Sequence, residues 1–431
     1  WPKSERDFEA TDNDRIVITG MGAVSPLGVG VAANWKALME SRSGIGLNTR
    51  FDTTDFACKI AGQVPDKDAP DGFDPTTYID PKDIKKMDLF IQYGLAAAQE
   101  ALAQSGWVAD TPEKQAITGT IIGSGVGGSP VMAEAVTTIM TKGPRRLSPF
   151  TVPSFLANLA AGWISIRYGF KGPIGAPVTA CAASAQAIGD AMRLIRTGEA
   201  EVMVCGGAEG SVDPISIGGF AASRALDTSH NDAPTTASRP FDKGHSGFVL
   251  AEGAAVVVIE KLSHALARGA TPLAIAAGYG TSADAYHLTS GSPDGAGAQV
   301  AMRQAIKMAG LTPDDIGYVN AHATSTEVGD NAEINGIRNL FGDRGQSLAV
   351  SSTKSATGHM LGAAGAMEAV ISMLALRNQM LPPTLNLDDP EPVAAQFDLV
   401  AKVPKPKALK HVLSNSFGFG GVNASLVFSA V

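Results

Sequence analysis

Short apolar, β-branched runs alternate with longer stretches of helical period along most of the chain. Strands are predicted at 15–19, 118–123, 201–205, 254–260, 317–321, 348–352, 411–414 and 425–429. Helices are predicted at 33–41, 90–104, 300–309 and 331–341. A further helix follows Cys181, where Ile188, Ala191, Met192 and Ile195 recur at helical spacing up to Gly198. The long apolar stretch 360–376 is broken by Gly362, Gly365, Glu368 and Ser372, so it reads as a buried helix and not a membrane span. Strands that alternate with helices in this way predict α/β layers with mostly parallel, buried strands. The helices after Cys181 and after His359 both begin with small residues and turn bulky later. That echo suggests two related halves joined near 262–272.

Composition narrows the class. The chain has 431 residues, 45% of them hydrophobic and 18% charged, with 48 glycines, which suits a compact enzyme rich in tight turns. A net charge of -8 argues against a general nucleic-acid binder. Cys58, Cys181 and Cys205 have neither metal-ligand nor disulfide-framework spacing, so a reducing, cytoplasmic setting is expected. Residues 1–14 are polar and charged. They read as a flexible extension without the apolar core of a signal peptide.

Candidate chemistry begins at Cys181. It lies at a helix start, where unpaired N–H groups and the helix dipole favour thiolate. His322 and His359 stand in segments rich in Gly, Ser and Thr, and with Cys181 they suggest nucleophilic catalysis. His230, His245, His264, His287 and His411 stand in no motif. No histidine pair has the spacing of a helical metal site, so no metal is expected. The Gly-x-Gly pairs at Gly20 and Gly123 read as tight turns or close packing, not as a dinucleotide site. Phe417-Gly418-Phe419-Gly420-Gly421 reads either as a turn over the core or as a mobile loop at a pocket. Lys82-Asp83-Ile84-Lys85-Lys86 is a solvated helix start that matters only to an acidic partner.

Four motifs occur in order: Thr179-Ala180-Cys181 with Ser184; Asn320-Ala321-His322; Ser351 to Ser355 with Thr357-Gly358-His359; and Asn415 to Gly421. Together they resemble the β-ketoacyl-acyl-carrier-protein synthase family, the condensing enzymes of fatty-acid synthesis, most of all its elongating type. The resemblance covers nearly the whole chain from Arg15. It implies a thiolase-like fold of two related α/β halves in a five-layered α-β-α-β-α core, with halves at 15–268 and 269–431, and a homodimer. It also implies a reaction: an acyl group held on Cys181 is lengthened by two carbons from malonyl-carrier protein, with loss of carbon dioxide.

The resemblance assigns residues as well. Cys181, His322, His359 and Lys354 are catalytic, with Glu368 as the partner of Lys354. The backbone N–H groups of Cys181 and Phe419 form the oxyanion hole, and the Phe419 ring is the gate that closes the acyl tunnel. Val126 and Phe220 line the acyl tunnel, and Ser290, Thr324 and Thr326 meet the phosphopantetheine arm. Lys82, Lys85, Lys86 and Arg224 dock the acidic carrier protein. No cofactor is implied beyond that arm, and there is room for a structural monovalent cation. Ala323, Ala183 and Val422 depart from the usual Gly, Thr and Thr. Ala323 puts substrate preference or rate in question. Very-long-chain and polyketide condensing enzymes fit the same motifs. A coenzyme A thiolase needs a second cysteine near the C-terminal glycine-rich loop, and none follows Cys205. A non-catalytic partner subunit and a Cys-His hydrolase are the remaining alternatives.

Overall fold

The computed structural model describes residues 15–431; the predicted extension 1–14 lies outside the described residues. One mixed sheet of eleven strands runs through the described chain. Its N-terminal half uses Ile16–Ser25, Thr118–Gly123, Ile174–Gly175, Val202–Glu209 and Gly253–Lys261 as its first to fifth strands. Its C-terminal half uses Ala274–Ala283, Tyr318–Asn320, Ala349–Ser351, His411–Gly418 and Val422–Ser429. Both halves have the spatial order third-second-fourth-fifth-first, and the two first strands meet antiparallel at Val17–Ile275 and Ile18–Ala274. The two-residue strand Gly28–Val29 hangs off the first.

The prediction of mostly parallel strands is corrected. Within each half the third, second and fourth strands run parallel, but the fourth pairs antiparallel with the fifth, and the fifth with the first. For the C-terminal half the reason is visible at 419–421. A turn of three residues, with Gly420 at φ 87° and Gly421 at φ 78°, joins the fourth and fifth strands directly, and such a turn can only return the chain antiparallel.

Helices complete five layers. Leu89–Ser105 covers the outer face of the N-terminal half, and Ala296–Met308 covers that of the C-terminal half. Ala183–Thr197 and Ala364–Asn378 lie against each other between the halves. The second of these is buried continuously from Ala364 to Leu376, as a helix apolar all round must be.

The duplication shows in small residues. A Cβ on Gly20 or Gly22 would come within 2.0 Å and 1.9 Å of the Ala101 and Ala97 carbonyl oxygens of the outer helix. Gly278 and Gly280 stand in the same relation to Ala305 and Ala301, both at 2.0 Å. The glycines at Gly20 and Gly22 therefore serve close packing of helix on strand. Each central helix is entered through a tight 3₁₀ turn, Ala180–Ala182 or Leu361–Ala363, whose first residue is left-handed (Ala180 φ 49°, Leu361 φ 45°). Cys181 and Gly362 thus occupy equivalent positions in the two halves.

Candidate active site

Cys181 stands at the apex of the Ala180–Ala182 turn. The left-handed Ala180 before it costs on the order of 1–3 kcal/mol, which the surrounding packing must supply. The strand His411–Gly418 runs past this turn. A Cβ on Gly418 would lie 2.8 Å from the Thr179 carbonyl oxygen and 3.2 Å from the Cys181 nitrogen, so only glycine lets the strand come so close.

Two imidazoles face the thiol from the other half. His359 Nε2 is 2.9 Å from Cys181 Sγ. The His322 and His359 rings are 5.4 Å apart and nearly perpendicular. Lys354 Nζ lies 3.4 Å from His322 Nδ1 and pairs with Glu368, both nearly inaccessible to solvent. An ammonium can only donate, so His322 Nδ1 accepts and its proton sits on Nε2, the nitrogen left for the cavity. Burial, reinforced by the Lys354 charge, holds both imidazoles well below the ordinary histidine value and keeps them neutral.

The expectation that the helix start would favour thiolate is corrected. Cys181 is half-exposed by area, but it is enclosed by surrounding atoms, and this desolvation pushes its thiol up to about 12. Lys354 pulls the other way, while Glu209 and Glu368 add to the rise. The resting thiol is therefore neutral and relies on its contact with His359.

Two buried acids outside the predicted set complete the frame. Glu333, on the helix Glu327–Phe341, accepts from the His322 and Ala323 amides at 2.9 Å and 2.6 Å and from Asn415 at 3.1 Å. Burial raises its carboxyl to about 7. Glu209 ends the strand Val202–Glu209. It accepts from the Gly125 and Gly362 amides at 2.7 Å and 2.9 Å and from Ser124 and Ser211. The glycine-rich loop at Gly123 thus spends its N–H groups on a protein carboxylate. A lone acid ending an apolar strand beside Gly206 and Gly207 was the available signal for Glu209; Glu333 gave none.

The reactive groups open into a cavity of about 590 Å³. Val126, Phe220, Arg224, Ser290, Thr324, Thr326 and Phe419 all line it with Cys181, His322 and His359. Thr324 and Thr326 bring their hydroxyls within 3.1 Å of each other. The Phe419 ring meets Phe220 edge to face at 6.3 Å, whereas Phe417 packs on His322 at 5.7 Å. Lys354 and Glu368 lie behind the histidines. Lys82, Lys85 and Lys86 lie outside the cavity; Lys82 pairs with Asp80, and Lys86 with Asp83. Ala323 packs into the core of the C-terminal half, so its methyl group does not narrow the cavity. Among the described residues no cluster of His, Cys, Asp or Glu could hold a metal ion. Asn320 Oδ1 and Ser414 Oγ, on register-paired residues, are buried without a hydrogen-bond partner, so they are oxygens that could hold a small cation. No described helix is long and apolar enough to cross a membrane.

A thiol in contact with one neutral imidazole, and a second imidazole held by a buried ammonium, suit acyl transfer through a thioester and not hydrolysis by a charged base. The doubled α/β fold and this site define a cysteine-dependent acyltransferase of thiolase-like architecture. The chain belongs to the beta-ketoacyl synthase family: the N-terminal domain of that family matches 13–265 and the C-terminal domain 273–388. Its similarity to 3-oxoacyl-acyl-carrier-protein synthase 2 of Rhizobium meliloti (strain 1021) is 50% identity over 414 residues, covering 96% of this chain and 98% of the relative. The Vibrio harveyi protein of the same name is 49% identical, covering 97% and 99%. A mitochondrial 3-oxoacyl-acyl-carrier-protein synthase of Arabidopsis thaliana is 45% identical, covering 97% and 93%. Among solved structures, a beta-ketoacyl synthase from Burkholderia phymatum STM815 superposes with a TM-score of 0.88 at 32% identity, covering 97% of this chain and all of that one. A type II polyketide ketosynthase in complex with its acyl-carrier protein superposes at 0.87 with 30% identity and the same coverage.

Proposed function

We propose that this chain elongates fatty acyl groups as a β-ketoacyl-acyl-carrier-protein synthase of the second type. The observation that carries the reading is Cys181 in contact with His359, beside a His322 whose tautomer Lys354 fixes. In the first half-reaction the Cys181 sulfur attacks the acyl thioester, and its proton passes to the departing carrier sulfur, so that His359 keeps the Nε2–H that faces the sulfur. The carrier thiol leaves, and exchange between thioesters needs little driving force. The oxyanion falls between the Cys181 and Phe419 amides; the close approach at Gly418 supports this assignment. In the second half-reaction the Nε2–H groups of His322 and His359 hold the malonyl thioester oxygen as carbon dioxide departs. The resulting carbanion attacks acyl-Cys181, and the β-ketoacyl product leaves on the carrier.

Val126 and Phe220 bound the acyl end of the cavity, and Ser290, Thr324 and Thr326 take the phosphopantetheine arm. Lys82, Lys85, Lys86 and Arg224 face the acidic carrier protein; the exposed Arg224 at the cavity rim supports this side as the approach. The surface pairs of Lys82 and Lys86 are weak and exchangeable. We divide the halves at 268/269, so that one carries the thiol and the other both imidazoles. Exposed Ile166, Ile174 and Val178, at and near the outermost strand of the N-terminal half, support a homodimer that continues the sheet. Three free cysteines support a reducing, cytoplasmic compartment. Asn320 and Ser414 are the oxygens we assign to a structural monovalent cation. A polyketide role is the second reading, favoured by the TM-scores, but identity falls from 50% to about 30% in that direction.

The test is Cys181→Ala. Intact-mass measurement should show an acyl adduct on the unaltered protein and none on the variant. The variant should lose condensation but keep malonyl decarboxylation. Condensation by a clean preparation of it would sink the assignment.

A further inference from the structure

The turn that carries Thr324 and Thr326 is gripped by a buried imidazole, that of His245 in the wall of the same cavity, which takes no part in the reaction above. Ser325, between the two threonines, is left-handed at φ 77°. Its N–H donates to Asp330 Oδ1 at 3.1 Å, its hydroxyl accepts from the Arg239 amide at 2.8 Å, and its carbonyl accepts from the Gly247 amide at 2.9 Å. Asp330 Oδ2 in turn accepts from the Phe241 amide at 3.0 Å and bonds His245 Nδ1 at 2.9 Å. The His245 side chain is 1% exposed, and its Nε2 has no hydrogen bond and lies 3.6 Å from Glu391 Oε1.

The charges facing this ring are carboxylates. Asp330 and Glu327 approach from one helix, and Glu391 from the segment near the C-terminus. The cations of its own loop are engaged elsewhere: Arg239 with Asp242 and Asp388, and Lys243 with Asp389.

We infer that His245 is a positioning residue that acts as a cation: protonated between Asp330 and Glu391, it holds the Ser325 turn in the shape that presents Thr324 and Thr326 to the substrate arm. The inference rests on the reading that these hydroxyls bind that arm. A neutral ring protonated at Nδ1 keeps its bond to Asp330 but turns a lone pair at Nε2 toward the Glu391 carboxylate. Deprotonation leaves that bond in place but strips it of charge assistance, and the repulsion at Glu391 pushes the ring away from the turn, so the hold on Asp330 and on Ser325 weakens. Burial opposes the proton, but the Asp330 hydrogen bond and the facing carboxylates outweigh it, so His245 titrates above the ordinary histidine range. The sign follows: substrate affinity is full at low pH and falls as pH rises through that raised value.

The experiment measures KM and kcat for a hexanoyl-pantetheine thioester from about pH 6 to about pH 9, a span that brackets the ordinary imidazole value and a raised one. KM of the unaltered protein should rise about fivefold or more across it, the size of a typical coupling between sites, with kcat changing less. His245→Arg, a permanent cation, should keep KM low and flat. Glu391→Gln removes one facing carboxylate and should move the rise to lower pH; it lies outside the cavity and keeps the test open if the arginine variant fails to fold. A rise that persists in His245→Arg, or one whose midpoint ignores Glu391→Gln, overturns the inference and shifts the titration to another group such as Glu333. Thr324→Ala and Thr326→Ala separate the two layers. If neither raises KM, the arm-binding reading fails and the inference falls with it. If they raise it while His245→Arg keeps the pH dependence, only the role of His245 fails.

Discussion

Replacing Lys354 with Met tests the electrostatic frame of the site most directly. The ammonium is 1% exposed, paired with Glu368, and 3.4 Å from His322 Nδ1. At an effective dielectric of about 20, a second positive charge on His322 at that distance would be repelled by about 5 kcal/mol, which adds to the larger effect of burial in keeping the imidazole neutral. Removing the ammonium strands Glu368. An ionised carboxylate left alone in the core costs about 3–5 kcal/mol. Glu368 escapes by keeping its proton, because burial already raises its carboxyl to about 7 even with the lysine present. In the variant the folded state then holds one proton that the unfolded state has released. Above about pH 7, stability should fall by about 1.4 kcal/mol per pH unit relative to the unaltered protein, ~3 kcal/mol by about pH 9. Urea-unfolding midpoints at several pH values read this directly, since the slope m should not change. Lys354→Met/Glu368→Leu removes both charges and should recover most of the stability at high pH while remaining inactive. A single variant with no extra pH dependence, or a double variant no more stable than the single at high pH, would refute the picture of a buried ion pair.

The remaining outcomes are shorter to state. His322→Ala and His359→Ala should each slow malonyl decarboxylation by on the order of 10²–10³, the usual loss for one donor to a developing oxyanion. Mass spectrometry should still detect acyl-Cys181 in His322→Ala; its absence from both folded variants would break the proposed division of labour. Charge reversal at Lys82, Lys85 and Lys86 should weaken carrier-protein binding and flatten its salt dependence, yet leave turnover of small thioesters nearly unchanged. Equal losses with both substrates would make these lysines structural. Phe419→Ala should reduce condensation more than acyl loading in pre-steady-state measurements, because the ring also holds the loop amide in place. Unchanged rates would remove the gate.

Legibility in the sequence followed burial. The strand Thr118–Gly123, with β-branched Thr118, Thr120, Ile121 and Ile122, was readable to the residue, because both its faces are buried and favour such side chains. The strand Ala274–Ala283 was not, because its small residues, Gly278 and Gly280 among them, exist to admit a helix and give a weak strand signal. The helices Ser129–Lys142 and Leu159–Tyr168 escaped for a different reason. Each exposes large apolar residues, Met140 at 81% and Ile166 at 74%, so neither shows a clean polar face. The strand His411–Gly418 ran past its predicted end at 414, since pairing with Val422–Ser429 overrides the poor propensity of Phe417 and Gly418. At the site, motif residues came together as the resemblance implied. Of the acids that hold them, Glu209 left only the faint mark of a charge at the end of an apolar strand, and Glu333 none, because both bond largely to backbone amides, which carry no sequence signal.

The paired central helices have a mechanical consequence. Cys181 enters one and His359 precedes the other, so the sulfur–nitrogen gap is gauged by the buried helix layer between the two halves. Neither helix can slide without opening voids against a sheet, and close-packed interiors resist that strongly. The reactive gap therefore behaves as a fixed calliper. Long acyl chains and a bulky carrier must be accommodated by segments at the cavity rim, around Phe419 and the 284–292 loop, and not by the two halves swinging apart. Ligands that stiffen the rim would then stop turnover while leaving the calliper, and the reactivity of its thiol toward small alkylating agents, unaltered.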